Sequence, residues 1–117
     1  MKILIIDPDE YYHRLLEREL QHLGELIFMR SAKQAELAAA AAPPDLLITE
    51  LFLEKENGYQ VLQKFRKEQG PHIPVIIFTK VDHLEDMQEA LGLGVTGYFI
   101  KGQNTVDEIK NLILNYV

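Results

Sequence analysis

Apolar residues along this chain gather in five short blocks separated by longer amphipathic stretches. Lys2–Ile6, Leu26–Met29, Leu46–Thr49, Val75–Thr79 and Gly97–Ile100 are only four or five residues long and rich in β-branched or aromatic side chains, which predicts strands. The third, which closes Asp45-Leu46-Leu47-Ile48-Thr49-Glu50, is apolar without alternation, the pattern of a strand buried on both faces.

The stretches between carry helix signals. Asp7, Pro8 and Glu10 read as N-cap, first-turn proline and capping-box acid of a helix running to about Leu23. Ser31 with Gln34 opens an alanine-rich helix that Pro43-Pro44 ends. Asn57-Gly58 begins the third helix and Gly70-Pro71 stops it, while Asp82 with Glu85 and Thr105 with Glu108 cap the fourth and fifth. Leu16, Leu20 and Leu23 share a face of the first helix, and Ile109, Leu112 and Ile113 a face of the last.

Strands alternating with helices predict an α/β fold, a doubly wound five-stranded parallel sheet. Right-handed crossovers favour the flavodoxin-like (βα)5 arrangement with strand order 2-1-3-4-5. In such a sheet every strand delivers its carboxyl end to one edge. Asp7-Pro8-Asp9-Glu10, Glu50, Thr79 and Lys101, each at the end of a strand, should therefore converge in one shallow crevice.

Composition narrows the possibilities. At 117 residues the chain is read as one domain, residues 1–117, either stand-alone or a segment of a larger protein. Twelve Lys plus Arg against eighteen Asp plus Glu give a net charge of −6, which disfavours nonspecific nucleic-acid binding. No cysteine is present, so disulfides, thiolate nucleophiles and Cys-ligated metals are excluded. The four histidines lack ligand spacing, and no Gly-rich loop follows a strand to cradle a nucleotide. The apolar blocks are too short for a signal segment or a membrane span, and a cytoplasmic protein is the expectation.

Five blocks in order carry a resemblance: Ile5-Ile6-Asp7, Pro44 to Glu50, Asn57-Gly58, Ile73 to Thr79 and Gly97-Tyr98-Phe99-Ile100-Lys101. Together they resemble response-regulator receiver domains of the CheY-like superfamily, over essentially the whole chain from Lys2 to Val117. The resemblance implies a phosphoacceptor at Glu50, where the family has aspartate. It implies a lysine at Lys101 that contacts the acceptor and its phosphoryl oxygens. It also implies a switch hydroxyl at Thr79 and a switch aromatic at Tyr98.

Receivers hold a divalent ion, usually Mg²⁺, with the acceptor, an acidic pair and a backbone carbonyl. Asp7 matches the first acid of the pair and Pro8 stands in place of the second, so Asp7 and Glu50 would be the remaining metal ligands unless Asp9 compensates. Gly102 replaces the proline that commonly follows the lysine, so the Lys101–Gly102 peptide should be trans.

The resulting expectation is a phosphorelay signalling module and not an enzyme: a pseudo-receiver with Glu50 in the acceptor position and no cofactor. Opposite charges at adjacent strand ends place Glu50 within a few ångström of Lys101. Its partner would be a histidine kinase, an effector or a second copy, met through the face of helix 4, strand 5 and helix 5. Two alternatives compete. One is a working receiver that holds Mg²⁺ through Asp7 and Asp9. The other is a small flavodoxin-like enzyme with Glu50 as acid or base, which a deep apolar pocket at Glu50 would favour.

Overall fold

The computed structural model describes residues 1–53, 56–69 and 72–115. The chain runs β1 (Lys2–Ile6), α1 (Glu10–Leu20) with a 3₁₀ turn at Gln21–Leu23, β2 (Glu25–Met29), α2 (Ala32–Ala41) and β3 (Leu46–Thr49). It continues as α3 (Gly58–Gln69), β4 (Val75–Thr79), α4 (Leu84–Gly92), β5 (Gly97–Ile100) and α5 (Val106–Leu114). The five strands form one sheet in the order β2-β1-β3-β4-β5, every neighbouring pair parallel. This is the predicted doubly wound, flavodoxin-like arrangement. A two-residue antiparallel ladder between Phe52–Leu53 and Glu56–Asn57, which the pattern did not predict, lies between β3 and α3.

Alternation along each strand divides the interior into two cores. Leu4, Ile6, Leu47, Val75 and Ile77 pack on one face against Ala32 and Ala35 of α2, Leu62 of α3 and Ala90 of α4. Ile3, Ile5, Leu46, Ile48, Ile76 and Phe78 pack on the other against Leu16 and Leu20 of α1 and Val106, Ile109 and Ile113 of α5. Full burial of a side chain of this size stabilises the fold by about 1.5–3 kcal/mol. The central strands are therefore a stiff platform for whatever stands at their ends.

The helix starts depart from prediction in two places. Asp9, not Asp7, caps α1: its side chain accepts from Tyr11 N, and Pro8 lies outside the helix. Asp7 is unavailable because its backbone N–H continues the sheet to Met29 O and its carboxylate turns inward. His83, not Asp82, is the cap residue of α4, with no side-chain capping bond. Val81 is buried with its carbonyl held by the Tyr98 hydroxyl, and the chain stays extended past Asp82. Ser31 caps α2 as predicted, but Gln34 accepts from Arg30 N instead of closing a capping box. Thr105 and Glu108 form the full capping box of α5. Asn57 Oδ1 accepts from Tyr59 N at the start of α3, whereas Gly70-Pro71 lies outside the described residues.

Candidate functional site

Four of the strands end in a polar group, and the sheet brings these together. Asp7 follows β1 and Glu50 follows β3, with Glu50 N donating to Ile6 O and so extending the ladder by one residue. Thr79 is the last residue of β4, and Lys101 follows β5 with its N–H donating to Thr79 O. All four are buried.

Lys101 Nζ lies 2.7 Å from Asp7 Oδ2 and 3.1 Å from Glu50 Oε2. The predicted closeness of Glu50 and Lys101 is therefore present, and Asp7 shares the ammonium. The side chains of Lys101, Asp7 and Glu50 are 4%, 4% and 7% exposed, far too little for ordinary solvation. Tyr12 covers the ammonium, its ring centroid 3.9 Å from Nζ and its ring perpendicular to that of Phe78. A cation held over an aromatic face in a desolvated position gains about 2 kcal/mol. Burial raises the Tyr12 phenol's pKa, and the Lys101 charge partly offsets this.

Two carboxylates against one ammonium leave a buried excess of negative charge. Hydrogen-bond donors offset it. Asp7 Oδ1 accepts from Asp9 N at 2.8 Å. Glu50 Oε1 accepts from the Thr79 hydroxyl at 2.7 Å and from Phe52 N at 3.4 Å. Glu50 Oε2 meets no donor along a hydrogen-bonding direction, so its contact with Lys101 is an ion pair without a directed hydrogen bond.

Thr79 carries the site outward. Its hydroxyl, while donating to Glu50, accepts from Val81 N at 3.3 Å, and Val81 O in turn accepts from the Tyr98 hydroxyl at 2.8 Å. Glu50, Thr79, Val81 and Tyr98 thus form one continuous chain from the crevice to β5. Burial, and secondarily the charges of Asp86, Glu50 and Asp82, push the Tyr98 phenol up to about 12. Tyr59 of α3 donates to Asp86 Oδ1 at 2.7 Å and fastens α4 from its other flank. Burial first, and that hydrogen bond second, hold the Tyr59 phenol above its ordinary range.

Sequence reasoning placed Glu50, Lys101, Thr79, Asp7 and Tyr98 but missed Tyr12, Tyr59 and Asp86. Tyr12 sits inside an amphipathic helix pattern, where it reads as core. The Tyr59–Asp86 contact spans 27 residues of sequence and leaves no spacing signal. After Lys101 the peptide is trans as predicted, since there is no cis bond among the described residues. Gly102 takes φ +88°, a left-handed conformation that glycine adopts without strain.

A Mg²⁺ ion at this edge would have to draw on Asp7 and Glu50. Pro8 offers no side-chain donor, Asp9 is exposed and engaged in capping α1, and the oxygens of Asp7 and Glu50 face N–H, hydroxyl and ammonium groups. Among the described residues, no three His, Cys, Asp or Glu side chains are grouped to hold a metal.

The family model for the response regulator receiver domain matches residues 3–113. Among curated proteins, the chain is 32% identical over 101 residues to the "Probable transcriptional regulator ycf27" of Porphyridium aerugineum, covering 86% of this chain and 41% of that protein. It is 23% identical over 113 residues to the "Regulator of RpoS" of Escherichia coli K12, covering 96% of this chain and 33% of that protein. The chain thus spans well under half the length of these relatives.

Among solved structures, a two-component response regulator from Clostridium difficile superposes with a TM-score of 0.85 at 23% identity, covering 99% of this chain and 98% of that one. The Mn²⁺-bound form of response regulator Rcp1 superposes at 0.79 with 24% identity, covering 95% and 88%. At such identities the structural likeness establishes the shared fold. No helix among the described residues is long and apolar enough to cross a membrane.

Proposed function

The chain belongs to the response regulator receiver domain family, and we propose that within it this domain is a pseudo-receiver whose site is filled by its own Glu50. Receiver domains are signalling modules of two-component systems. On this reading, residues 1–117 form one such module, working by protein–protein contact in the cytoplasm without accepting a phosphoryl group.

One observation carries the reading. The Glu50 carboxylate takes the Thr79 hydroxyl at 2.7 Å and faces the Lys101 ammonium at 3.1 Å. Thr79 and Lys101 are the residues that, by resemblance, would grip a phosphoryl group on a shorter aspartate. A glutamate side chain reaches about 1.5 Å farther than an aspartate. Its carboxylate therefore occupies the room between those two groups and supplies the negative charge they meet. With Thr79 drawn in and Tyr98 tied to Val81 O, the surface beyond β4 is held in a single arrangement, and no phosphoryl transfer is needed to reach it.

Neither alternative has comparable support. A working receiver would need Asp9 at the crevice, but Asp9 is committed to the end of α1. An acid–base enzyme would need Glu50 to face substrate, but its carboxylate is shut between Thr79 and Lys101 and buried.

Incubation with acetyl phosphate and Mg²⁺, read by intact mass, tests the proposal. No phosphoryl adduct should form, while an aspartate-bearing receiver labels under the same conditions. An adduct mapped to Glu50 would overturn the reading in favour of a working receiver.

A further inference from the structure

A cleft of about 390 Å³ lies between α1 and the start of α5. Its apolar lining comes from three elements: Tyr11, Tyr12 and Leu15 of α1, Phe78 of β4 and Val106 of α5. The volume falls within the range of small-molecule sites, about 300–1,000 Å³.

Much of that lining is aromatic. The Tyr11 and Tyr12 rings stand at 88° with centroids 5.0 Å apart, and Tyr12 and Phe78 at 90° with centroids 5.5 Å apart. Flat π surfaces of this kind favour a planar aromatic guest beyond the area it buries. Tyr11 is 63% exposed and belongs to neither core cluster, so its ring is free to cover such a guest.

Charge decides which aromatic guests fit. Lys101 Nζ lies 3.9 Å and 5.8 Å from the Tyr12 and Phe78 centroids yet lines no part of the cleft. The two rings therefore stand between the ammonium and the cleft. A cationic guest would have to share π density that already serves Lys101. An anionic guest would meet Glu19 and Asp107 at the rim. Arg18 does not offset both acids, since it is paired to Glu19 at 3.3 Å and its side chain is 70% exposed. The positive end of α5 is likewise met by Asp107 and Glu108 in its first turn. A neutral guest escapes both penalties.

We infer that this cleft binds a neutral planar aromatic small molecule against Tyr11, Tyr12 and Phe78, and that the bound ring braces Tyr12 over Lys101. Such a ligand is an input that reaches the crevice without phosphoryl transfer. The inference goes beyond the pseudo-receiver reading and does not depend on whether Glu50 accepts a phosphoryl group.

The test titrates the ¹⁵N-labelled whole chain with 2-naphthol, followed by amide NMR shifts and by hydrogen exchange at Lys101 Nζ. Saturable shifts should be confined to Tyr11–Leu15, Phe78 and Gly102–Asp107, and exchange of the Lys101 ammonium should slow. Saturated decahydro-2-naphthol, cationic 2-naphthylmethylamine and anionic 2-naphthoate should each bind about fivefold more weakly or worse. Tyr11→Ala, at an exposed position, should weaken 2-naphthol binding by about fivefold or more. Tyr12→Leu should weaken it by about tenfold while Tyr12→Phe binds as the parent does, with circular dichroism confirming that each variant is folded. Should Tyr12→Leu not fold, Tyr11→Ala and the analogue series still decide.

No saturable shift up to the solubility of 2-naphthol would overturn the inference. So would shifts spread over exposed Leu84 and Leu91, the mark of indiscriminate apolar binding. Equal or tighter binding of the saturated, cationic or anionic analogue would overturn the assigned ligand chemistry. Undiminished binding by Tyr11→Ala would place the guest elsewhere, and unchanged Lys101 exchange at saturation would break the link to the ammonium.

Discussion

Thr79 donates its hydroxyl hydrogen to Glu50 Oε1 across 2.7 Å, and the Thr79 hydroxyl oxygen in turn accepts from Val81 N. A single hydroxyl thus joins a strand-end carboxylate to the loop that leads into α4. Thr79→Val keeps the shape and removes both bonds, leaving the buried Glu50 oxygen and the Val81 N–H short of a partner. A loss of about 1–3 kcal/mol in urea denaturation is expected, together with faster hydrogen exchange at the Val81 amide. Thr79→Ser should retain most of both. If Thr79→Val leaves Val81 exchange unchanged, the hydroxyl is not what fixes the loop.

Lys101 is the only cation within reach of two buried carboxylates among the described residues. Lys101→Met preserves bulk but strands Asp7 and Glu50 as uncompensated buried charges, and should destabilise the fold by about 3–5 kcal/mol. Glu50→Gln leaves the Asp7–Lys101 pair intact and should cost much less. The double variant should recover part of the Lys101→Met loss, because the two sites share one interaction. Equal costs for the two single variants in denaturant titrations would contradict this apportioning of charge.

The layout of the site was legible in the sequence because strand ends in a parallel sheet share an edge. Once Lys2–Ile6, Leu46–Thr49, Val75–Thr79 and Gly97–Ile100 read as strands, the placing of Asp7, Glu50, Thr79 and Lys101 followed. What local pattern could not resolve was competition between roles. Asp7 has the look of a helix cap, yet a partner 94 residues away claims its carboxylate and leaves the cap to Asp9. Asp82 lost its capping role in the same way, to a Val81 carbonyl fixed by Tyr98 from the next strand. Tyr12, Tyr59 and Asp86 stayed hidden because a tyrosine in an amphipathic helix looks the same whether it packs on a core or covers an ammonium.

Tyr98 makes the fold sensitive to alkali. Its phenol is pushed up to about 12, chiefly by burial, against an ordinary value of 10.0. The folded state therefore keeps a proton that the unfolded chain gives up between those values. Stability from this group is complete below pH 10 and is lost as pH rises toward 12. Absorbance titration of phenolate should show Tyr98 ionising late, and Tyr98→Phe should flatten the fall in stability over that window. An unchanged alkaline slope in Tyr98→Phe would assign the effect to other tyrosines.

Gly58 is a steric requirement beside the site. Its N–H donates to Leu51 O at 3.0 Å, and a Cβ added there would overlap the Leu51 backbone. Gly58→Ala cannot be absorbed by a rotamer change, because the obstruction is main chain. The start of α3 must then move away from Leu51, next to the Phe52 N–H that Glu50 accepts. A loss of about 1–3 kcal/mol is expected in spite of alanine's better helix propensity. A thermal midpoint equal to or above that of the parent would show that this junction has room to spare.

Repair of the acceptor site separates the two departures from the family pattern. Glu50→Asp withdraws the carboxylate from Thr79 and Lys101 and reopens the space a phosphoryl group would need. Alone it should give little labelling by acetyl phosphate, because Pro8 still offers no oxygen for Mg²⁺, and the ion's charge neutralisation is most of the catalysis in phosphoryl transfer. Adding Pro8→Asp restores an acidic pair with Asp7, so Mg²⁺ binding and labelling should appear together in the double variant. Since Pro8 lies ahead of the Asp9 cap and outside α1, its loss acts mainly by freeing the unfolded chain, for about 0.4–1 kcal/mol. Intact mass after acetyl phosphate treatment, with Mg²⁺ titrated by calorimetry, reads both effects. Labelling of Glu50→Asp as strong as that of the double variant would show that Asp7 and Asp9 suffice for the metal. The long side chain of Glu50 would then be the whole obstacle.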